Sequence, residues 1–220
     1  MAQRLVPGRV AGIVLAALVL VSAPAPADEA PPAAPPEADA SATVEALHGS
    51  LIEVMKEAAQ LGYAGRYARL EPVMRELFDL PFMAEKAVGR YWNEATPEDQ
   101  AHLVETFSRY TIANFAGRFD SYSGQSFETL GQEPTARDTL LVRTQLVDPG
   151  RENVQLDYRL RANGGRWRIV DIYMNGAISE LALRRSEYAS LIKREGFAAL
   201  LAALDERVQE LATAPADEEI

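Results

Sequence analysis

The chain has 220 residues, no cysteine and a formal net charge of −10 at pH 7. A strongly acidic protein is repelled by phosphate backbones and by anionic membrane surfaces, which argues against nucleic-acid binding and against passive adhesion to a bilayer. The lack of cysteine excludes a disulfide framework, thiolate chemistry and a lipid-modified N-terminal cysteine.

The first 27 residues have the order of a secretory signal peptide. Arg4 and Arg9 form a basic start, residues 10–21 are almost wholly apolar, and small residues and prolines follow. The apolar run is shorter than the roughly 20 residues that a membrane span needs. An Ala-Pro-Ala segment ends at Ala27 and fits a small-x-small cleavage site, so we expect cleavage there. The alternative is an uncleaved N-terminal anchor.

Residues 28–42 are rich in proline, alanine and acidic side chains and have little to bury, so they are predicted to form a disordered linker. Residues 43–212 have a length that suits one domain with one core. Residues 213–220 are predicted to be an unstructured acidic tail.

The first part of the domain is predicted to be helical. Apolar residues recur at helical spacing over 43–61, and further helices are predicted over 69–78 and 81–92. The segment 62–66 contains two glycines and is predicted to be a turn between helices.

The clearest local signal is a helix start. Thr96 is a capping residue and Pro97 stands at the first helical position, with two acidic residues after it. The helix that follows is predicted to run to about residue 119. An unusually aromatic stripe on one of its faces consists of Val104, Phe107, Thr111, Phe115 and Phe119.

Strands follow this helix. Apolar and polar residues alternate over 140–146 and 154–161, and a further strand over 167–174 is apolar on both faces, as expected for a strand inside a sheet. Residues 126–130 are predicted to form an edge strand. Short connections, one of them with the turn sequence Asn163-Gly164, favour antiparallel pairing.

Two helices close the chain. One begins near Ser179, and the last covers 197–211 with one apolar face. The predicted fold is therefore α+β, with an antiparallel sheet of about four strands packed by helices from both chain ends.

The sequence has no recognisable catalytic or metal-binding motif. His48 and His102 are predicted to be surface residues of helices, and neither has a metal-ligand spacing. Nucleophile-elbow, dinucleotide-binding and P-loop patterns are absent from the sequence. We therefore predict no catalytic residue, metal or cofactor.

Asp171 is the one carboxylate in a predicted apolar setting. Strict alternation places it on the same strand face as Trp167, Ile169 and Tyr173. A buried acid of this kind is either a general base with a raised pKa or a structural group that pairs with an arginine or caps the next helix. The structural role is favoured, because pairing is the commoner reason for burying a carboxylate.

Two segments resemble those of a known family. Residues 88–98 (VGRYWNEATPE) and 171–179 (DIYMNGAIS), followed by Arg185 and Tyr188, are similar to motifs of the MlaC, or toluene-tolerance, family. The order of helices and strands agrees, and the resemblance covers about residues 43–211. Residues 177–182, and Arg184 in place of the tyrosine common in the family, are closer to the hopanoid-associated HpnM branch.

This resemblance implies a periplasmic soluble protein that is an auxiliary component of lipid transport. Such a protein shuttles a phospholipid or hopanoid between an inner-membrane transporter complex of the ABC type and an outer-membrane acceptor complex. It implies a cystatin- or NTF2-like sheet, with an apolar cavity between the aromatic helix, residues 78–83 and the apolar sheet face.

The residues predicted to line the cavity are Phe82, Phe107, Tyr110, Phe115, Tyr158, Ile178 and Leu181. Arg185 is predicted to meet a polar head group at the cavity mouth or to hold Asp171, and the second role is favoured. Two alternatives stay open. One is an isomerase or lyase that uses Asp171 as its base, and the other is an interaction protein with a filled core.

Overall fold

A computed structural model describes residues 39–213 of the chain. The predicted signal peptide, most of the predicted linker and residues 214–220 lie outside the described residues. The described part forms six α-helices and one antiparallel sheet of five strands, so the predicted α+β class is confirmed. No helix within 39–213 is both long enough and apolar enough to cross a membrane.

The elements follow one another in the order helices, sheet, helices. The first helices are α1 (Ala40–Lys56), α2 (Ala58–Leu77), α3 (Leu80–Val88), a 3-10 turn (Gly89–Trp92) and α4 (Pro97–Arg118). The strands are β1 (Ser126–Thr135), β2 (Thr139–Val147), β3 (Val154–Asn163), β4 (Arg166–Met174) and β5 (Ile178–Ser179). The last helices are α5 (Glu180–Glu195) and α6 (Phe197–Thr213).

Helix α1 begins earlier than predicted because of a cap that the prediction missed. The Asp39 side chain accepts a hydrogen bond from the Ser41 backbone N–H at 3.0 Å. Ala40 is fully buried, so residues 40–42 belong to the folded domain and not to the linker. At the other end of the domain, α6 continues to Thr213, one residue into the predicted tail.

Helix α2 replaces both the predicted turn at 62–66 and the predicted helix over 69–78. Only Gly62 leaves helical geometry, with φ 58° and ψ −178°, and it kinks the helix. A buried guanidinium then fixes this segment against α4, because Arg66 Nε donates to the Ala116 carbonyl at 2.8 Å. The glycine that predicted a turn therefore causes only a kink at Gly62, and packing against α4 keeps the chain helical on both sides of it.

Helices α3 and α4 match their predictions closely. The Asp79 side chain caps α3 by accepting from the Phe82 N–H at 3.3 Å, and Thr96 Oγ1 caps α4 by accepting from the Asp99 N–H at 3.1 Å. Helix α3 ends at Val88, where Gly89 has φ 59°, so the last four residues of the predicted helix form the 3-10 turn.

The sheet has the order β1-β2-β3-β4-β5, with every neighbouring pair antiparallel. The four predicted strands are present, and the two-residue strand β5 was not predicted. Strand β4 pairs with β3 along its length, but on its other side, among residues 39–213, it meets only β5 and a single bridge from Phe78 to Ile169. It is therefore less central than its two apolar faces suggested.

A bulge in β4 changes which residues share a sheet face. Arg159 pairs with Asp171, but its neighbour Leu160 pairs with Ile169, so Val170 is an extra residue in β4. Because successive side chains point to opposite faces, one extra residue reverses the alternation beyond it. Asp171 therefore does not share a face with Ile169, and the predicted strict alternation is wrong at this point.

Candidate ligand-binding cavity

A cavity of about 770 Å³ lies between α4, the sheet and the beginning of α5. This volume is within the range of roughly 300–1,000 Å³ that small-molecule pockets occupy. The apolar side chains that line it are Met55, Phe78, Met83, Phe115, Phe119, Leu146, Val154, Leu156, Tyr158, Ile172, Met174 and Leu181.

The sheet side of the cavity follows from strand register. Leu156 pairs with Met174, and Tyr158 pairs with Ile172, across β3 and β4. Directly opposed residues of an antiparallel pair project to the same face, so these four side chains form one apolar patch. The bulge at Val170 places Ile172 and Met174 on this face of the sheet.

The helix side of the cavity is aromatic. Phe115 of α4 meets Phe78 edge to face at 5.7 Å between ring centroids, and it stacks on Phe119 at the same distance. Phe119 in turn lies 6.3 Å from Phe127 of β1. These contacts fix the ring positions, so the wall is shaped before any ligand arrives.

Polar residues line the rest of the cavity. They are Thr111, Asn114, Arg118, Asp120, Ser121, Gln125, Asp148, Arg151, Glu180 and Arg184. The set contains three arginines and three carboxylates, so its formal charge is balanced although the whole chain is strongly acidic. Arg118, Ser121 and Arg151 are exposed, which shows that this side of the cavity faces water.

The structure brings three of the seven predicted lining residues to the cavity. Phe115, Tyr158 and Leu181 line it, and a role in lipid contact stays a prediction for each of them. The other four lie elsewhere. Phe107 is fully buried in the core, and Ile178 is 54% exposed.

The remaining two predicted aromatics pack against arginines. The Phe82 ring lies 4.2 Å from the Arg161 guanidinium, and the Tyr110 ring lies 5.0 Å from that of Arg184. Helical and strand periodicity identifies the buried face of an element. It does not show whether a side chain on that face is enclosed in the core or reaches the cavity. This is why Phe107 and Phe115 share a stripe while only Phe115 reaches the cavity.

Asp171 is a buried structural carboxylate. Its Oδ2 accepts from the Ser179 hydroxyl at 2.7 Å, and its Oδ1 accepts from the backbone N–H groups of Ile172 at 2.9 Å and Leu181 at 3.1 Å. Arg159 Nη2 lies 3.8 Å from Oδ2. Asp171 thus pairs with an arginine and joins the cap of α5, which is the arrangement that the predicted structural role requires, and that role stays a prediction.

The arginine that pairs with Asp171 is Arg159 and not the predicted Arg185. Arg185 is exposed on α5 and lies over the 3-10 turn, where a methyl group at Gly89 would stand only 2.9 Å from Arg185 Nε. The strand partner of Asp171 is fixed by sheet register, which the matched sequence segments that suggested Arg185 do not reveal.

His48 is buried, contrary to the prediction that it is a surface residue. Its Nε2 lies 3.1 Å from Tyr158 Oη, and its ring stacks on Phe127 at 3.9 Å between centroids. Burial lowers the pKa of His48 to about 4 and raises the pKa of Tyr158. His48 stands one turn after Val44 on the apolar face of α1, and this spacing was the available signal.

His102 is exposed on α4, as predicted. Within residues 39–213, no three histidine, cysteine, aspartate or glutamate side chains are grouped closely enough to hold a metal ion.

Comparison with known proteins identifies the family. Residues 45–206 match the family model described as MlaC protein. The fold matches the phospholipid-binding protein from Ralstonia solanacearum, whose structure was solved in complex with a phospholipid, with a TM-score of 0.70 and 28% sequence identity over 80% of this chain and 100% of that chain. No curated protein sequence matches. Since the family model spans well over half of its residues, the chain belongs to the MlaC family.

Proposed function

We propose that this protein is a periplasmic carrier that holds a lipid in the cavity beneath α4 and moves it between membranes. The observation that carries the proposal is the apolar cavity of about 770 Å³, in a fold shared with a protein that was solved with a bound phospholipid. The cargo is a phospholipid or hopanoid. Its proposed partners are an inner-membrane transporter complex and an outer-membrane acceptor complex, which would link the protein to outer-membrane lipid asymmetry.

The energetics of lipid transfer explain why such a cavity is needed. Each CH₂ group exposed to water costs about 0.8 kcal/mol, so two acyl chains of roughly 16 carbons would cost on the order of 25 kcal/mol. Unassisted escape into water is therefore negligible. A carrier with an apolar interior removes most of this cost, and it works best when its affinity is close to that of the membrane, because it must both load and release.

The proposed location rests on the predicted signal peptide and on family membership, since MlaC proteins are periplasmic. The acidic exterior supports a soluble role, because anionic membrane surfaces repel it until a partner complex docks the carrier. The HpnM-like segment 177–182 supports a hopanoid as one of the two candidate cargoes.

The structural role of Asp171 weighs against the isomerase or lyase alternative. A general base must reach the proton that it abstracts, but Asp171 is absent from the residues that line the cavity. Both of its oxygens are already used in the cap of α5. The filled-core alternative is disfavoured by the cavity itself.

The decisive experiment is mass spectrometry of the protein purified from its native periplasm. We expect a co-purifying phospholipid or hopanoid, and a ligand-free protein that also takes up no lipid from vesicles would refute the carrier function.

A cavity-filling variant sharpens the test. Ile172→Trp should reduce lipid uptake at least about tenfold by occupying the apolar patch, because an indole ring takes the place of the ligand's hydrocarbon.

The matched control is Leu183→Trp, which adds the same ring on α5 at a side chain that is already 47% exposed. Its uptake should equal that of the unmodified protein. Circular dichroism and thermal unfolding of both variants separate loss of binding from loss of folding. Equal uptake by Ile172→Trp and Leu183→Trp would show that the lipid does not use this cavity.

A further inference from the structure

A second, smaller cavity lies between the two C-terminal helices. Gly196 ends α5 with φ 90°, a backbone conformation that glycine adopts readily, and α6 begins at the next residue. The two helices pack against each other and leave a groove of about 410 Å³, which we call the α5–α6 groove. It shares no lining residue with the cavity beneath α4, so it is a separate site.

The floor of the α5–α6 groove is apolar. Tyr188, Leu200 and Leu204 are buried, and Leu191 and Ala203 are half-buried. The spacing of three residues on α5 and of three to four on α6 keeps these side chains on one face of each helix. A hydrocarbon segment on this floor would leave water, which is favourable in proportion to the apolar area that becomes covered.

The rim of the groove is polar and positively charged. Glu187, Ser190, Arg194 and Arg207 form it, and all four are exposed. Two arginines and one glutamate give the rim a formal charge of +1, whereas the whole chain has −10. A local excess of positive charge attracts an anion to this position, although most of the protein surface repels it.

Both arginines have donors available for a ligand. The Arg207 side chain makes no hydrogen bond or ion pair with any residue of 39–213. Arg194 Nη1 donates to Ser190 Oγ at 2.9 Å, and its Nε lies 3.6 Å from Glu195 Oε1. The pair with Glu195 is exposed and contributes little, so most of the N–H groups of Arg194 remain available.

We propose that the α5–α6 groove binds a fatty-acid anion, with its single chain on the apolar floor and its carboxylate at the arginines of the rim. Guanidinium groups bind carboxylates through two parallel hydrogen bonds. The volume is about half that of the cavity beneath α4 and lies at the lower end of the range for small-molecule pockets, which favours one chain over a two-chain lipid. A stable interface between proteins buries about 800 Å² on each partner, and a floor of five side chains is small for that purpose.

The apolar part of the proposal is tested in the Ile172→Trp chain, in which the larger cavity is filled. Isothermal titration calorimetry with dodecanoate, below its micelle concentration, should show one bound molecule per chain. Adding Ala203→Trp should weaken this binding at least about tenfold, because the indole ring covers the floor of the groove. The matched control is Ala202→Trp, since Ala202 is exposed on the same helix and does not line the groove.

The charged part is tested by the head group and by the arginines. Dodecyltrimethylammonium has a chain of twelve carbons and a positive head group, and it should bind at least about tenfold more weakly than dodecanoate. Arg194→Met combined with Arg207→Met should weaken dodecanoate binding by a similar factor. Arg69→Met should leave it unchanged, because Arg69 is an exposed arginine of α2 that does not line the groove.

Three results would overturn the proposal: no binding of dodecanoate by Ile172→Trp, equal binding of the two amphiphiles, or equal effects of Ala203→Trp and Ala202→Trp. A dimer in sedimentation that Ala203→Trp dissociates would show that a second copy of the chain occupies the groove, and the proposal would then be wrong. If Ile172→Trp fails to fold, the comparison is made in the unmodified chain, where Ala203→Trp should bind one dodecanoate fewer than Ala202→Trp. These outcomes do not depend on the carrier function, because the two sites have no lining residue in common.

Discussion

Acid pH should destabilise the protein through His48, which is 5% exposed between Phe127 and Tyr158. Burial lowers its pKa from 6.5 to about 4, because a charged imidazolium loses its hydration in this position. The unfolded chain therefore binds a proton near pH 6.5, whereas the folded chain resists until about pH 4. Stability should be constant above pH 6.5 and should fall by about 3 kcal/mol as the pH is lowered to 4.

Urea unfolding from neutral pH to pH 4, followed by the fluorescence of Trp92 and Trp167, measures this loss. Carboxylates also titrate in this range, so the informative quantity is the difference in unfolding free energy between the unmodified protein and His48→Gln. Glutamine keeps a hydrogen-bonding group near Tyr158 but cannot be protonated. As the pH is lowered from neutral to 4, the unfolding free energy of His48→Gln should rise by about 3 kcal/mol relative to that of the unmodified protein.

His102→Gln is the control, because it replaces the other histidine at an exposed position on α4. Its stability should run parallel to that of the unmodified protein at every pH. A difference between the unmodified protein and His48→Gln that stays constant from neutral pH to pH 4 would refute the reasoning. It would show that the His48 imidazole is hydrated in solution and is not enclosed between the sheet and α1.

Two substitutions test how α5 and the 3-10 turn are held. Asp171→Asn should lower the unfolding free energy by about 2 kcal/mol, because it weakens the charge-assisted cap of α5, whereas the exposed Asp138→Asn should change it by less than about 0.5 kcal/mol in urea titrations. Gly89→Ala should lower the unfolding free energy by about 1–2 kcal/mol, because Gly89 has a positive φ and the new methyl group would meet Arg185. Gly49→Ala, which lies within α1 with open space around it, should instead raise the unfolding free energy measured by calorimetry. Equal effects of the two substitutions would contradict this reasoning.

The elements that rest on local chemistry were predictable from the sequence. Thr96 and Pro97 located the start of α4, and Ser179 located the start of α5, because a capping side chain acts on backbone groups only a few residues away. The alternation of apolar and polar residues located β2 and β3, because each face of these strands keeps a constant environment over its length.

The cavity depended on features without a local signature. The extra residue Val170 is apolar like its neighbours, so nothing in the sequence marks the bulge that turns Ile172 and Met174 inward. Phe107 lies on α4, which packs against α6 about 90 residues later in the chain, so its full burial depends on contacts that are distant in sequence. The burial of His48 was not predicted for a different reason. A polar side chain is expected at the surface, although the helical spacing places His48 on the buried face of α1.

The cap at Asp171 also has a mechanical consequence for how a cavity of this shape opens. Asp171 fastens the first turn of α5 to β4, so the wall that carries Leu181 cannot move away from the sheet without breaking the hydrogen bonds from the Ser179 hydroxyl and the Leu181 N–H together. Widening of the cavity on the side of α5 therefore requires Asp171 to lose both contacts together, so one carboxylate keeps this wall in place.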